Sequence, residues 1–420
     1  MSSTQPAFTD AERIQLIVGI SEAFSPSAPI DKTALFAGRS SQINDVISAV
    51  FQRGQHVIIF GERGVGKTSL ANVLFDFLSQ AGVKSLESGT INCDKTMDFS
   101  SLWHKILRDL AINRENAKLG FTGGSTPEQF PIDNLMPEIV TPDDVRHALK
   151  LVPAKTMIII DELDRLKNVD ATTLLADTIK TLSDHSIDTT LILVGVADSI
   201  NGLIAEHASV ERNLVQIHMP RMSTDELHEI IDKALSQVKM TIDNDAKGQI
   251  SLLSKGLPHY THLLGKHSAL SAVKDNRKQI GSIDVSGAIG EALRHAQQSI
   301  VSAYHKATMS PRENLYKQVL LSCALAKTDM LGFFSAADVR DPMTLIMCKR
   351  YDIPAFSQHL NAFCDEERGP VLQRTGTARK FRFRFINPLL QPFVILRGLS
   401  DGLVTIEQLN TYFGLTPVVT

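Results

Sequence analysis

The chain has 420 residues, of which 43% are hydrophobic and 21% are charged, and its formal net charge is −3. This composition is typical of folded globular proteins and excludes collagen-like, disordered and coiled-coil chains. At about 100 to 200 residues per domain, the length predicts two to four domains rather than a single small module.

The predicted elements begin with a helix over about 10–24, because Thr9-Asp10-Ala11-Glu12 has the form of a capping box. A helix near 41–53 then leads into the short apolar run 56–60, which is typical of a buried strand. From there strands and helices alternate, and this rhythm predicts a parallel sheet covered by helices on both faces. The remaining elements of this α/β region are helices at 67–80, 99–111 and 171–183 and strands near 89–93, 156–160 and 190–196.

Residues 112–140 interrupt this rhythm with glycines and prolines, and they are predicted to form a mobile excursion. After Pro220 the strand signals stop, and 223–300 is predicted to be helical. Later elements are predicted as helices at 312–327, 335–348 and 353–364 and two short strands around Gly376. The predicted segments are an N-terminal helix (1–30), an α/β domain (31–220), a helical domain (221–300), a further domain (301–400) and a tail (401–420).

A phosphate-binding loop is indicated where Gly61 to Thr68 fits the Walker A pattern, Gly-x-x-x-x-Gly-Lys-Ser/Thr, between a predicted strand and helix. Its glycines let the backbone approach phosphate oxygens, and the amides of a helix N-terminus attract anions. Lys67 is expected to reach the β- and γ-phosphates, and Thr68 to bind Mg²⁺. The candidate ATP-binding residues here are Gly61, Glu62, Arg63, Gly64, Val65, Gly66, Lys67, Thr68 and Ser69.

Two carboxylates, Asp161 and Glu162, follow the apolar run 157–160. Ligands of parallel α/β sheets bind at the carboxyl edge, where these side chains would lie. Asp161 is expected to hold the Mg²⁺ hydration shell, and Glu162 to orient and deprotonate the attacking water.

Together with Leu35-Phe36-Ala37-Gly38-Arg39, these motifs resemble AAA+ ATPases of the origin-recognition, initiator-like type. The resemblance implies that Gly38 and Arg39 lie beside the adenine. It implies that Asp198, where the family usually has Asn, is a sensor of the γ-phosphate; capping of the next helix is the alternative. Arg212 matches the position of the arginine finger that enters a neighbouring subunit, or else it is a solvated side chain pairing with Glu211 or Glu206.

The predicted helical domain resembles an AAA+ lid, yet its Gly256-Leu257-Pro258 is similar to the Gly-x-Pro motif of STAND ATPases. That likeness implies that Pro258 packs against adenine, whereas a simple helix-breaking turn is the alternative. Residues 301–400 resemble a winged-helix domain. The resemblance therefore implies a P-loop AAA+ fold with a parallel sheet, a helical lid and a winged helix.

The predicted wing is basic, because 371–385 contains five cations and no acid. Its second strand alternates at period two, so its phenylalanines are expected to face the core and its cations the water. Such a strand fits a phosphate backbone, although edge charges also prevent aggregation and winged helices also dock proteins. In the helix at 353–363, only Gln358, His359 and Asn361 are candidate polar base readers, so sequence-specific readout is not expected. The candidate nucleic-acid-binding residues are Arg374, Arg379, Lys380, Arg382 and Arg384.

The predicted function is an ATP-binding, ATP-hydrolysing AAA+ switch that uses Mg²⁺ and couples nucleotide state to assembly and to DNA or partner engagement. Two alternatives stay open: a STAND-like regulatory ATPase controlling a separate effector, as in mobile-element or phage-defence (antiviral) systems, and a nucleotide-bound scaffold with negligible turnover. Expected partners are further copies of the chain, double-stranded DNA and an effector protein. No run approaches the ~18 apolar residues of a membrane span, and 1–10 lacks signal-peptide features, so a cytoplasmic protein without membrane contact is expected.

Overall fold

The computed structural model of the protein describes residues 8–26, 29–30, 33–80, 86–115, 127–196, 208–310, 314–377 and 380–414. The helices are α1 (Asp10–Ala23), α2 (Ser40–Phe51), α3 (Lys67–Gln80), α4 (Phe99–Arg108), α5 (Pro142–Lys150), α6 (Val169–Asp184), α7 (Thr224–Gln237), α8 (Asn244–Ser254), α9 (Pro258–Lys274), α10 (Ser282–Arg294), α11 (Gln298–Thr308), α12 (Tyr316–Leu325), α13 (Ala336–Met347), α14 (Ser357–Ala362), α15 (Leu390–Ser400) and α16 (Ile406–Tyr412).

The strands are β1 (His56–Phe60), β2 (Leu86–Asn92), β3 (Ala111–Glu115), β4 (Pro127–Pro131), β5 (Lys155–Asp161), β6 (Thr189–Gly195), β7 (Leu214–His218), β8 (Thr241–Ile242), β9 (Gln279–Ile280), β10 (Phe334–Ser335), β11 (Leu372–Thr375) and β12 (Arg382–Phe385). The chain divides into two units. The sheet unit comprises Ile30–Glu62 and Gly66–Met219, and the helical unit comprises Met1–Pro29, Arg63–Val65 and Pro220–Thr420.

The sheet unit is built on a parallel sheet with the strand order β2-β5-β6-β1-β7. Strand β6 is buried along its whole length, as expected for a strand covered by helices on both faces. The register places Ile59 of β1 opposite Val194 of β6. Because the strands are parallel, β1, β5 and β7 end at the same edge of the sheet. This edge carries the segments that follow Phe60, Ile160 and Ile217.

Two predictions about strands were wrong. The segment predicted as an excursion contains an antiparallel pair, β3 with β4, followed by a 3₁₀ helix at Ile132–Leu135. The region after Pro220 contains the short parallel pair β8 and β9. Both pairings join strands that are short or separated by tens of residues, and such pairs leave little periodic signal in a sequence.

The first part of the helical unit contains α1 and the helices α7 to α10. The predicted capping box of α1 is confirmed: Thr9 and Glu12 bond each other's backbone N–H groups. Ser223 and Glu226 form the same arrangement at α7. Helix α1 packs closely on α9, because a Cβ on Gly265 would lie 2.5 Å from the Phe24 ring. Phe24 itself is fully buried.

The last part of the helical unit, here called the C-terminal module, contains α11 to α16 and an antiparallel sheet with the order β10-β12-β11. The predicted alternation along β12 is confirmed, since Phe383 and Phe385 are buried while Arg382 is exposed. The helix predicted at 353–364 is instead a 3₁₀ turn, Ile353–Ala355, followed by the six-residue α14. The break lies at Phe356, whose φ of −126° and ψ of −5° are not helical.

Across the part of the chain that the structure describes, no helix is both long and apolar enough to cross a membrane.

Candidate nucleotide-binding site

The predicted phosphate loop follows β1 directly and ends where α3 begins at Lys67. Gly61 is required by packing, because a Cβ there would lie only 2.3 Å from the carbonyl oxygen of Met219. Gly64 has φ of 86°, a conformation that side chains rarely adopt. The loop therefore has the backbone shape that its glycines predict.

Lys67 is held over the loop by the loop's own carbonyls. Its Nζ donates to the carbonyl oxygen of Gly61 at 3.1 Å and to that of Glu62 at 2.8 Å. Thr68 is half-buried in the first turn of α3, and the Ser69 hydroxyl accepts a hydrogen bond from the Ile30 N–H at 3.1 Å. The ammonium group and the amides of the helix N-terminus thus converge at one end of α3, as an anion site requires.

Asp161 and Glu162 lie where β5 ends, at the edge of the sheet that also carries the phosphate loop. Asp161 is buried, and its Oδ1 accepts a hydrogen bond from the Glu162 N–H at 2.6 Å. Glu162 has φ of 55° and ψ of 39°, a left-handed conformation that costs energy in a non-glycine residue and that active sites can retain. Its carboxylate accepts a hydrogen bond from the Arg165 guanidinium at 2.6 Å.

The thiol of Cys93 lies beside this acidic pair. Its backbone N–H donates to the Asp161 carbonyl oxygen at 2.8 Å. Burial, reinforced by the negative charge of Asp161, raises the pKa of Cys93 to about 12. A thiol with this pKa stays protonated at neutral pH, so Cys93 is not a nucleophile.

Gly38 and Arg39, predicted to lie beside adenine, form the turn before α2. Both have positive φ, 67° and 65°, and Arg39 is buried at the N-cap position of α2. Their contact with adenine stays a prediction.

His218 is a residue that the sequence analysis missed. It is the last residue of β7, next to β1, and its ring lies 5.2 Å from that of Phe60. Burial and the charge of Arg39 lower its pKa, while Glu62 opposes the shift. No sequence signal marked it, because the pairing of β7 with β1 is a contact between distant parts of the chain.

Asp198 and Arg212 are the other two candidate residues that follow the sheet strands. Asp198 lies outside the described residues. Arg212 lies in the 3₁₀ helix Ala208–Asn213, and 71% of its side chain is exposed. Its guanidinium lies 3.6 Å from the Asp184 carboxylate. The alternative names Glu211 or Glu206 as its partner, and Glu206 lies outside the described residues. An exposed arginine at this position is compatible with a role at a neighbouring subunit, which stays a prediction.

In the helical unit, Pro258 is the first residue of α9, a position that proline favours. The two histidines that follow have structural roles. His259 Nδ1 lies 2.6 Å from the Pro26 carbonyl oxygen, and burial lowers the pKa of His262 to about 4. Among the described residues, no group of three or more His, Cys, Asp or Glu side chains is arranged to hold a metal.

The predicted basic wing lies on β11 and β12, and most of its cations have neighbours in the module. Arg382 donates to the Asp329 carboxylate at 2.6 Å, Arg384 to Gln373 at 2.7 Å, and Arg374 to Asn361 at 2.7 Å. Lys380 is exposed, and Arg379 lies outside the described residues.

One predicted base reader was wrong. His359 is buried, and its ring lies 4.8 Å from that of Tyr316, because this residue faces α12 and not the solvent.

The sequence was compared with models of known protein families. Residues 51–204, which contain the phosphate loop and the acidic pair, match a family described as the AAA domain. The match covers the segment of the chain that carries both motifs, which is therefore similar to AAA domains. ATP with Mg²⁺ is the cofactor pair of such domains, and ATP hydrolysis is their activity. The α/β part of the predicted fold is thereby confirmed.

The chain is also 25% identical over 246 residues to the Holliday junction branch migration complex subunit RuvB of Ehrlichia chaffeensis. That match covers 53% of this chain and 58% of that protein, so it spans little more than half of the relative. A Walker-type ATPase of Pyrococcus abyssi has a TM-score of 0.50 at 12% identity, covering 89% of this chain and 99% of that one, and it shares the fold. The ORC2 protein of Aeropyrum pernix has a TM-score of 0.48 at 14% identity, covering 94% and 98%.

Proposed function

We propose that this protein is an ATP-driven molecular switch that couples nucleotide state to assembly of the chain and to engagement of duplex DNA or a partner protein. The observation that carries the proposal is the phosphate loop of the AAA domain, with Lys67 held over it and Asp161 and Glu162 at the same sheet edge. The similarity to RuvB, whose name describes a subunit of a Holliday junction complex, favours assembly and DNA engagement.

The residues at this edge fit ATP with Mg²⁺. Lys67 and the loop amides supply positive charge to the phosphates. Thr68 and Asp161 supply hydroxyl and carboxylate oxygens, the donors that Mg²⁺ prefers, and Mg²⁺ takes few protein ligands beside phosphates and water. When bound, Mg²⁺ neutralises charge that develops on the phosphates.

Glu162 is the proposed base that orients the attacking water and accepts its proton. Its hydrogen bond to Arg165 engages the carboxylate in the structure described, so an oxygen needed to orient the water is already occupied. The proposed catalytic cycle therefore includes release of Glu162 from Arg165. A partner that controls the release of Glu162 from Arg165 would set the rate of ATP hydrolysis.

Assembly enters the proposal through Arg212. Its exposed guanidinium has a weak ionic neighbour, Asp184, at 3.6 Å, and exposed pairs of this kind contribute little stability. The side chain can leave this pair at small cost. We propose that it enters the nucleotide site of a neighbouring copy as an arginine finger, a contact that accelerates phosphoryl transfer.

The C-terminal module is the proposed winged helix. Its three helices α12 to α14 and the sheet β10-β12-β11 support this interpretation. The cations of β11 and β12 favour contact with a phosphate backbone, which adds affinity without reading sequence. Asp198 and Arg39 are retained as proposed sensor and nucleotide contacts, and Pro258 as the proposed adenine contact.

A second candidate is a regulatory ATPase that controls a separate effector protein. The observations that favour it are the short α14 with its buried His359 and the internal hydrogen bonds of Arg374, Arg382 and Arg384. These arginines would have to release their present partners before they bind phosphate. A docked protein would pack against them without that exchange.

One experiment separates the two candidates. Mass and ATP turnover of the purified chain are measured with ATP and Mg²⁺, in the presence and absence of duplex DNA. A DNA-engaged switch gives a mass that rises with ATP and a turnover that rises with DNA. If DNA leaves ATP turnover unchanged at both low and physiological salt, this contradicts DNA engagement and favours the effector candidate.

A further inference from the structure

The tip of the phosphate loop, Arg63–Val65, belongs to the helical unit together with the C-terminal module. The contact that links them is between Gly64 and Leu389, the N-cap residue of α15. A Cβ on Gly64 would lie 3.0 Å from Leu389 Cδ2, so the leucine methyl group touches the loop backbone. Leu389 is 6% exposed, and nothing in the phosphate-loop pattern predicts it.

Two hydrogen bonds hold the backbone of Leu389 in place. The Tyr260 hydroxyl at the start of α9 donates to the Leu389 carbonyl oxygen at 2.8 Å. The Leu389 N–H donates to the Asn387 side chain at 3.1 Å. Tyr260 is 2% exposed, and a buried hydroxyl that loses its partner is costly. The leucine is therefore held at a defined position.

The next turn is anchored as well. Gln391 is buried, and its amide nitrogen donates to the Ala324 carbonyl oxygen of α12 at 2.8 Å. Its amide oxygen accepts from the Arg221 guanidinium at 2.5 Å, and the same nitrogen of Arg221 lies 3.2 Å from the Lys255 carbonyl oxygen. Residues 389–391 thus connect the loop tip with α9, with α12 and with the turn before Gly256.

We infer that Leu389 is a positioning residue for nucleotide binding, which supports the phosphate loop at Gly64 and couples it to the C-terminal module. This inference rests on the proposed nucleotide function of the loop. Loop amides bind phosphate well only when their directions are fixed beforehand, because ordering a loop on binding costs affinity. By thermodynamic reciprocity, ATP in the loop must then alter the stability of the segment around Leu389.

The test is ATP binding by calorimetry with the full chain and Mg²⁺. Leu389→Ala is expected to raise the Kd for ATP about tenfold, the scale on which contacting residues couple, and Leu389→Met to restore most of the affinity because it conserves volume. Leu396→Ala, an equally buried leucine further along α15, is the matched control and is expected to keep the wild-type Kd.

A second readout distinguishes positioning from general destabilisation. In the wild-type chain, ATP is expected to slow hydrogen exchange of residues 387–391, and in Leu389→Ala this protection is expected to disappear. If Leu389→Ala does not fold, Tyr260→Phe decides the question, because it removes the hydroxyl donor to Leu389 and is expected to raise the Kd about threefold.

The inference is overturned if the decisive variant, Leu389→Ala or its replacement Tyr260→Phe, binds ATP within twofold of wild type, or if Leu396→Ala weakens binding as much as Leu389→Ala. Failure of the wild-type chain to bind ATP would contradict the proposed function itself, and so the two failures are distinct.

Discussion

The carboxylate of Glu162 accepts a hydrogen bond from the guanidinium of Arg165, three residues later, at 2.6 Å. The bond also raises the pKa of the Arg165 guanidinium, so Arg165 stays charged beside the carboxylate. This pair joins the proposed catalytic base to a residue that no phosphate-loop pattern includes.

Replacing Arg165 by Gln is expected to raise ATP turnover severalfold and leave the Kd for ATP unchanged, because the freed Glu162 carboxylate is available to orient the attacking water. Glu162→Gln is expected to bind ATP and to lose at least about 100-fold in turnover, the contribution of a general base. Phosphate release under steady-state conditions measures both. Arg146→Gln, which breaks the comparable pair with Asp143, should change neither parameter; slower turnover in Arg165→Gln would contradict the release step.

Arg212→Ala is expected to leave ATP binding intact and to lower turnover about 1000-fold, the scale of an arginine finger. Mixing Arg212→Ala with Glu162→Gln should restore part of the activity, since mixed neighbours recreate complete sites. Arg108→Ala removes a similarly exposed arginine, beside Asp133, and serves as the control. Mixtures without any recovered turnover would remove the support for a finger acting between subunits.

Replacing Lys380, Arg382 and Arg384 together by Ala is expected to weaken duplex DNA binding to the same extent for unrelated sequences. The slope of log Kd against log salt should also fall, by about 0.9 for each phosphate that the variant no longer neutralises. Lys274, Lys278 and Arg294 are exposed cations outside the wing, and their joint replacement by Ala controls for net charge. Unchanged DNA binding in the wing variant would place the site elsewhere.

Acid is expected to destabilise both units through buried histidines. Burial lowers the pKa of His56 and of His262 to about 4, from an ordinary histidine value of 6.5. Between these values the unfolded chain binds more protons, so stability is full above pH 6.5 and falls as the pH drops towards 4. The loss is up to about 1.4 kcal/mol per pH unit for each histidine.

Urea unfolding from pH 4 to 7 measures this dependence. His262→Met, an apolar replacement, should flatten the pH dependence, whereas His147→Gln at an exposed site should leave it as in wild type. Equal pH dependence in His262→Met and wild type would show that His262 does not carry the effect.

Local patterns predicted local structure well. The spacing from Gly61 to Thr68 located the phosphate loop, and Thr9 with Glu12 located the first helix, because both depend on residues within a few positions of each other. The alternation of β12 followed from its period of two.

Contacts between distant residues were not accessible in this way. The pairing of Arg212 with Asp184, the burial of His359 against Tyr316 and the contact of Leu389 with Gly64 each depend on how separate elements pack. The pairing of β3 with β4 was hidden by glycines and prolines that indicated only loop. His218 was missed because a histidine at a strand end has no motif of its own.

The most direct test of the account is ATP binding by the wild-type chain and by Lys67→Ala, measured by calorimetry with Mg²⁺. Arg53→Ala, which removes an exposed cation outside the loop, controls for the loss of one positive charge and is expected to keep the wild-type Kd. The account predicts binding by the wild-type chain and a loss of at least about 100-fold in Lys67→Ala, because its ammonium group no longer meets the phosphates. Wild-type affinity in Lys67→Ala would contradict the nucleotide site and the switch that is built on it.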